Sequence, residues 1–532
     1  MKKILTILTV LIITLLVVIS GCSSSSTTTP ATKTTATTAK TTSQAPVTGG
    51  SLRISMNADA TSLGYPPTMQ GTPDQLSARP CIESLFRLDN TGNVIPYLVD
   101  SVKEDPAAKT YTFTLKKGIK FHDGTPFDAA AVQWNMMNFK STPSGGATFA
   151  KITSVDVVDE YTARINLSSW DNTLLINLVS PPGYMISPAA FQKNGADWCK
   201  NNPVGTGPFK FVSWTRDVSK TFEKNTNYWQ PGKPYLDKIT ISIIADATVE
   251  VASLLKGEND ILSIANVKNA SDAAAQGFTV SKCPVGGGLR TMVGDSAHAD
   301  SVYSKLKVRQ AVSYAIDPKA IVDSVWKGMM PVTNQFATAG TWAYNPNVVG
   351  YPYDTAKAKQ SLSEAGYPSG FKTTLYCSND PYQVSCYTAV QGYLQAVGIE
   401  AQLQVLDSGK YVDMQQNSGW TNALYGLGIL LAADPLSNFQ FLTSKATSGM
   451  AKTTLKNDDL DKAFADASAA TDFATKKDLT LKLQTLVHDT YCVWNPILVN
   501  VGISAKSKKV HNDGISDMAF GLWAPENAWM EK

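Results

Sequence analysis

The sequence holds four histidines, His122, His298, His488 and His511, and seven cysteines, so catalytic or metal-binding chemistry would have to come from a short list. No two histidines stand at HExxH or other two-ligand helical spacing, and no CxxC or Cys/His ladder occurs, so no metal site is expected. The GxSxG nucleophile elbow and the phosphate-cradling GxxxxGK[ST] loop are absent. Two pairs could still react. Ser324-Val325-Trp326-Lys327 fits SxxK, an acylating serine beside a lysine, although no KTG follows it. His122-Asp123 has the composition of a base and its orienting acid. The Gly124-Thr125-Pro126 that follows favours a turn instead, with the Asp123 side chain bonding backbone N–H groups. The reading is therefore of no catalytic residue and no cofactor, with binding as the remaining chemistry. A lipid-anchored hydrolase using Ser324 and Lys327 is the alternative from another class.

The stretch that positions His122 runs from Thr110 to Trp134, TYTFTLKKGIKFHDGTPFDAAAVQW. Tyr111, Phe113 and Leu115 alternate with threonines, a period of two that predicts a strand. Lys116-Lys117-Gly118 is a turn, and Ile119-Lys120-Phe121 is expected to resume the strand. Asp128 stands as N-cap before Ala129-Ala130-Ala131-Val132.

At 532 residues the chain is too long for one core and implies two or three domains. With 43% hydrophobic and 17% charged residues it is globular. Net charge is +3, and removing Lys2 and Lys3 leaves 45 basic against 44 acidic residues. No basic stripe is present to hold nucleic acid. Lys2-Lys3 and the apolar run Ile4–Ile19 read as a signal segment, short of the roughly 20 residues that span a bilayer. Ile19-Ser20-Gly21-Cys22 places a cysteine after small residues. Ser23 to Gly50, nearly all Ser, Thr, Ala, Lys and Gly, buries nothing and serves as a tether. The expectation is an exported protein lipid-anchored through Cys22, with 1–21 removed and 22–49 as linker. Six cysteines remain; sequence does not choose among their pairings, and Cys377 with Cys386, flanking Asp380-Pro381, is the nearest pair for a disulfide.

Further along, Ala78–Leu85 reads as helix and Asn90–Asn93 as a hairpin turn. Phe371–Tyr376, Tyr387–Ala396 and Ile399–Leu406 give a β-α-β run that predicts a parallel unit. Leu424–Ala433 is an apolar strand ending at Asp434-Pro435. Gly286-Gly287-Gly288 suits a crossing between domains or a close backbone approach. Tyr228 and Trp229 read as a packed aromatic pair, and Arg309 as half of a structural ion pair.

Several blocks resemble one family. "YTFTLKKGIKFHDGTPF", "PVGTGPF" (203–209), "FEKNTNYWQPGKPYLDKI" (222–239), "LLKGENDIL" (254–262), "SKLKVRQAVSYAIDPKAIVDSVWKG" (304–328) and "YDTAKAKQSLSEAGYP" (353–368) are similar to signatures of the family 5 extracellular solute-binding proteins of ABC importers. The resemblance covers essentially the whole mature chain. It implies an α/β, two-lobed periplasmic-binding-protein-like fold of type II (cluster C) with an inserted domain. Domain I would take 50–88, 200–290 and 498–532, domain II 89–199, and domain III 291–497. It implies capture of a solute, by default a peptide, by hinge closure and its delivery to membrane permease subunits, by a monomer. Arg290, Met292, Trp342, Leu431 and Asp434 are the candidate ligand-binding residues. Peptide-binding members carry an Asp three residues before the acid-Pro step, where it pairs with the ligand's amine. Here that position is Leu431, and the Trp expected six before the acid is Gly428. Ala131 replaces the usual Asp of the helix cap. Leucine at 431 favours an oligosaccharide or other uncharged solute as the alternative, unless Asp434 itself takes the amine. A receptor that binds solute without transport is a third reading.

Overall fold

The computed structural model describes residues 45–516 and 523–532, and Pro46–Lys532 form one compact unit. Cys22 and the signal segment lie outside the described residues, as do residues 23–44 of the tether.

Three sheets carry the architecture. In the first, seven strands lie in the order Phe209–Thr215, Ser219–Lys224, Lys238–Ile243, Ser51–Met56, Ile261–Leu262, Ile503–Lys506 and Thr279–Lys282. Ser51–Met56 runs parallel to Lys238–Ile243, and Leu52, Ile54 and Met56 are fully buried. The second sheet has five strands, Ile399–Leu406, Phe371–Ser378, Leu424–Leu431, Gly287–Gly294 and Asn495–Asn500. Here the expected β-α-β unit is present, with Phe371–Ser378 and Ile399–Leu406 parallel and joined by helix Pro381–Ala396. The third is antiparallel, Val99–Asp105, Thr110–Leu115, Thr162–Leu167 and Ile152–Asp159. Its strand Thr110–Leu115 buries Tyr111, Phe113 and Leu115, as the alternation requires, and Asp128 accepts from the Ala131 N–H at 2.8 Å to cap helix Ala129–Lys140.

Some local expectations are overturned. Ile119–Phe121 forms no strand; a single bridge, Lys120 to Pro126, closes the turn. The helix placed at Ala78–Leu85 lies earlier, at Gly71–Ala78, with strand Glu83–Ser84 following, because Pro80 interrupts the pattern. Arg309 pairs with no carboxylate among the described residues; its guanidinium donates to the carbonyls of Tyr303, Ser304, Tyr491 and Cys492. Tyr228 and Trp229 pack at 5.6 Å and also donate to buried Glu83.

The chain passes from the first sheet to the second at 283–286 and returns at 501–502. The two crossings lie side by side, the Cys283 N–H donating to the Gly502 carbonyl at 2.9 Å. Boundaries drawn after residues 290 and 497 therefore cut strands Gly287–Gly294 and Asn495–Asn500, which belong whole to the five-stranded sheet. The boundary after 199 likewise falls inside helix Pro188–Asn201, whose Cys199 packs in the core of the seven-stranded sheet.

Candidate functional site

The residue pairs that could have been catalytic are tied up locally. His122 Nε2 lies 2.9 Å from the Gly207 carbonyl, and burial pushes the imidazole down to about 4. Asp123 accepts from the Thr125 N–H at 3.0 Å and from the Thr125 and Ser187 hydroxyls, which is the expected turn bonding. Ser324 donates its hydroxyl to the Ile321 carbonyl within helix Pro318–Trp326, and Lys327 sits past the helix end at φ +52°. The disulfide expected between Cys377 and Cys386 is not formed; both are free and fully buried. Cys377 is part of strand Phe371–Ser378 rather than of a loop. The short turn beyond it is held by Asp380, whose N–H bonds Ser378 and whose carboxylate caps the Gln383 N–H. Burial raises the Cys386 thiol to about 12, so it is unreactive at neutral pH.

Two of the five ligand candidates, Trp342 and Asp434, line a cavity of about 380 Å³ between the segment 92–176 and the segment 342–476. Glu104 and Tyr111 reach it as a cross-strand pair of the antiparallel sheet. Trp170 stacks on Tyr111 with centroids 4.6 Å apart. From the other side, Trp342 meets Phe473 edge to face at 5.2 Å, and the Trp342 N–H donates to the Thr91 carbonyl at 3.1 Å. Asp434 follows strand Leu424–Leu431, accepts from the Leu436 N–H at 3.0 Å, and is ion-paired to Lys476, both side chains being buried. Lys476 also donates to the Asn172 carbonyl at 2.8 Å. Among the described residues the Glu104 carboxylate makes no hydrogen bond or ion pair. Desolvation raises its pKa, with Lys476 pulling the other way. Aromatic walls with a few polar groups are the make-up of a small-molecule site.

The other three candidates fall differently. Met292 is fully buried in the main core cluster and cannot touch a solute, because its side chain packs into the core that the five-stranded sheet shares with its helices. Leu431 is also buried, facing a gap of only about 10 Å³ shared with Ala432 and Ala433. Arg290 is half-buried and lies directly across the strand pair from Gly428. Strand Leu424–Leu431 pairs along its whole length with Gly287–Gly294, but with Phe371–Ser378 only at Leu424 and Tyr425. Past that point side chains serve its edge: Tyr411 Oη accepts from the Gly428 N–H at 2.9 Å, and Asn438 donates to the Leu430 carbonyl at 2.8 Å. Leu430 is 65% exposed there.

Sequence reasoning missed Glu104, Trp170, Phe473 and Lys476. Tyr111 reads from the sequence only as one position of an alternating strand.

A two-lobed α/β arrangement with an aromatic cavity at the end of a central strand is the make-up of a solute-binding protein. Residues 93–450 match the family described as "Bacterial extracellular solute-binding proteins, family 5 Middle", and the chain belongs to that family. It is thus a solute-binding component of an ABC transporter. It is 32% identical over 374 residues to the glutathione-binding protein GsiB of Pectobacterium atrosepticum, covering 67% of this chain and 69% of that one. It is 28% identical over 493 residues to the GsiB of Salmonella paratyphi A, covering 86% and 90%. Its fold matches the Helicobacter pylori periplasmic binding protein DppA, solved with the peptide STSA, at a TM-score of 0.70 and 24% identity, over 91% of this chain and 99% of that chain. Among the described residues no helix is long and apolar enough to cross a membrane.

Proposed function

We propose that this protein captures a short peptide at the open end of strand Leu424–Leu431 and in the adjoining aromatic cavity, and hands it to its permease. The observation that carries the reading is the convergence of Trp342, Phe473, Tyr111 and Trp170 on one cavity beside Asp434, at the carboxyl end of a central strand. Ligands of open α/β sheets sit outside such strand ends. Relatives named for glutathione and peptides support the substrate class. No bond is made or broken in this cycle; the two lobes close about the crossings at 283–286 and 501–502. Domain I then comprises 50–88, 188–282 and 503–532, domain II 89–187, and domain III 287–500. The monomer is held outside the cell membrane by a lipid on Cys22, with residues 23–49 as tether. A Cys22→Ser change that left the protein membrane-bound would refute the anchor.

A second reading, an uncharged solute such as an oligosaccharide, is favoured by Leu431. Asp434 is no substitute for the missing acid, since its charge is already taken by Lys476. Thermal-shift titration of the mature protein with di- to pentapeptides, glutathione and oligosaccharides separates the two, because stabilisation follows ligand concentration over affinity. Stabilisation by oligosaccharides alone would replace the first reading with the second.

A further inference from the structure

Six of the seven arginines donate side-chain hydrogen bonds to protein acceptors: Arg53, Arg79, Arg87, Arg164, Arg216 and Arg309. The seventh, Arg290, has no hydrogen-bonding or ion-pairing partner for its guanidinium among the described residues, and its Nε is buried without an acceptor. A cation placed between a sheet and a helix normally has a counter-charge or several carbonyls, as Arg309 does.

The surroundings are shaped for this side chain. Opposite it is Gly428, where a Cβ would fall 2.1 Å from Arg290 Nη1. Glycine there makes the seat that the guanidinium occupies. The same Cβ would lie 3.2 Å from Gln383 Nε2, so an amide donor shares the niche. Gln383 is buried, and among the described residues its Oε1 has no donor. Two residues on, Leu430 is exposed at the strand edge that Phe371–Ser378 leaves uncovered. The niche thus offers planar N–H donors, with no carboxylate bonded to them among the described residues, beside the exposed position Leu430.

We propose that Arg290, seated over Gly428, is the specificity-determining anchor for a carboxylate of the solute. This rests on the strand-end reading above and deepens it: the solute class becomes carboxylate-bearing molecules, with an acidic or free C-terminal peptide as the leading case. Guanidinium and carboxylate pair bidentately, which fixes orientation as well as charge. The missing amine partner at Leu431 is then less of an obstacle, since recognition runs through the opposite charge.

The test uses the mature protein, with binding read by thermal shift and calorimetry. The probes are short peptides with free C-termini, the same peptides as C-terminal amides, and glutarate as a non-peptide carboxylate. Wild type should prefer the free acid over its amide, and Arg290→Met should lose that preference, weakening acid binding on the order of 10- to 100-fold while leaving the amide unchanged. Arg290 bonds nothing among the described residues, so folding should survive its replacement. Gly428→Ala provides a second variant, displacing the flexible end of Arg290 and crowding the Gln383 amide by a few tenths of an ångström, and should give the same loss. Equal binding of acid and amide by wild type, or a preference that persists in both variants, overturns the proposal while leaving the peptide reading intact. Arg290-dependent binding of glutarate without any peptide binding overturns the peptide reading and leaves this one standing. No stabilisation by any carboxylate-bearing probe overturns the assignment of Arg290.

Discussion

Asp434 and Lys476 illustrate how a residue's role changes once its neighbour is known. The strand and the Asp-Pro step were legible in the sequence, and Asp434 could be flagged. Lys476 lies forty-two residues on, at the start of another helix, and nothing local links the two. Glu104 was hidden for the opposite reason: in Asp-Ser-Val-Lys-Glu-Asp it reads as one more charge on a solvated strand. Because both partners of the 434–476 pair are buried, removing one leaves an uncompensated charge. Lys476→Met should cost about 3–5 kcal/mol in urea unfolding, and the double change with Asp434→Asn should recover most of it. Burial also sets an acid limit. His488 packs edge to face on Phe336 at 4.8 Å, and desolvation holds its imidazole at about 3, although the Trp494 backbone favours a proton on it. The unfolded chain takes up that proton below about 6.5 and the folded chain does not, so stability falls as pH drops from there towards 3. His122, at about 4, acts in the same direction. Glu250, raised to about 7 by burial, opposes them, since its contribution is complete below about 4.5 and is lost as pH rises through 7. His488→Phe should therefore gain about 2–3 kcal/mol relative to wild type between pH 7 and pH 4.5, measured by denaturant unfolding at both.

At the scale of elements, period and caps carried the reading furthest where each element answers to its own sequence. Thr110–Leu115 and its capped helix are examples. Helix Asp458–Ala469 carries the same kind of signal at its start, with Asn457 as N-cap and Asp458, Asp459 and Asp461 in its first turn. The other end of that helix was not legible. It has no base in its last turn, and its terminal carbonyls are met from a different segment: Asn172 Nδ2 donates to Ala467 at 2.9 Å and to Ala470 at 3.1 Å, and Trp170 Nε1 to Ala470 at 3.0 Å. A helix end normally finds such donors in the residues that follow it. Here the cap comes from some three hundred residues away and also forms one wall of the aromatic cavity. Asn172→Ala should remove about 1 kcal/mol per lost bond. Hydrogen exchange by mass spectrometry should quicken in peptides covering 465–478 and stay unchanged in strand Thr110–Leu115. Unchanged exchange in 465–478 would mean the cap is not holding that end.

For the molecule as a whole, the decisive feature is the pair of strands by which the chain leaves one sheet and returns to it. The triglycine at 286–288 suits a crossing or a close backbone approach, and the chain crosses at 283–286 while Gly287 lies against Asn500; a boundary after 290 falls late because strand propensity runs through Leu289–Val293 without a break. The three glycines are not equivalent. Gly287 has φ +132°, where L-residues are rarely found, and a Cβ there would lie 2.8 Å from the Asn500 carbonyl oxygen and 3.0 Å from Val499 Cγ1. Gly288 would place its Cβ 3.7 Å from Asn500 Cβ, an ordinary contact. The requirement for glycine is thus set by the end of strand Asn495–Asn500 where it enters the return crossing, which any rotation of the lobes would have to slide past. Gly287→Ala should lower unfolding stability by about 1–3 kcal/mol, and Gly288→Ala should be close to neutral by the same measurement. If the two lobes move about this strand pair, Gly287→Ala should also weaken solute affinity although residue 287 does not line the aromatic cavity, and by more than Gly288→Ala, whose Cβ would meet Arg290 Nη1 only at 4.0 Å. Equal effects of the two substitutions on affinity would place the hinge elsewhere.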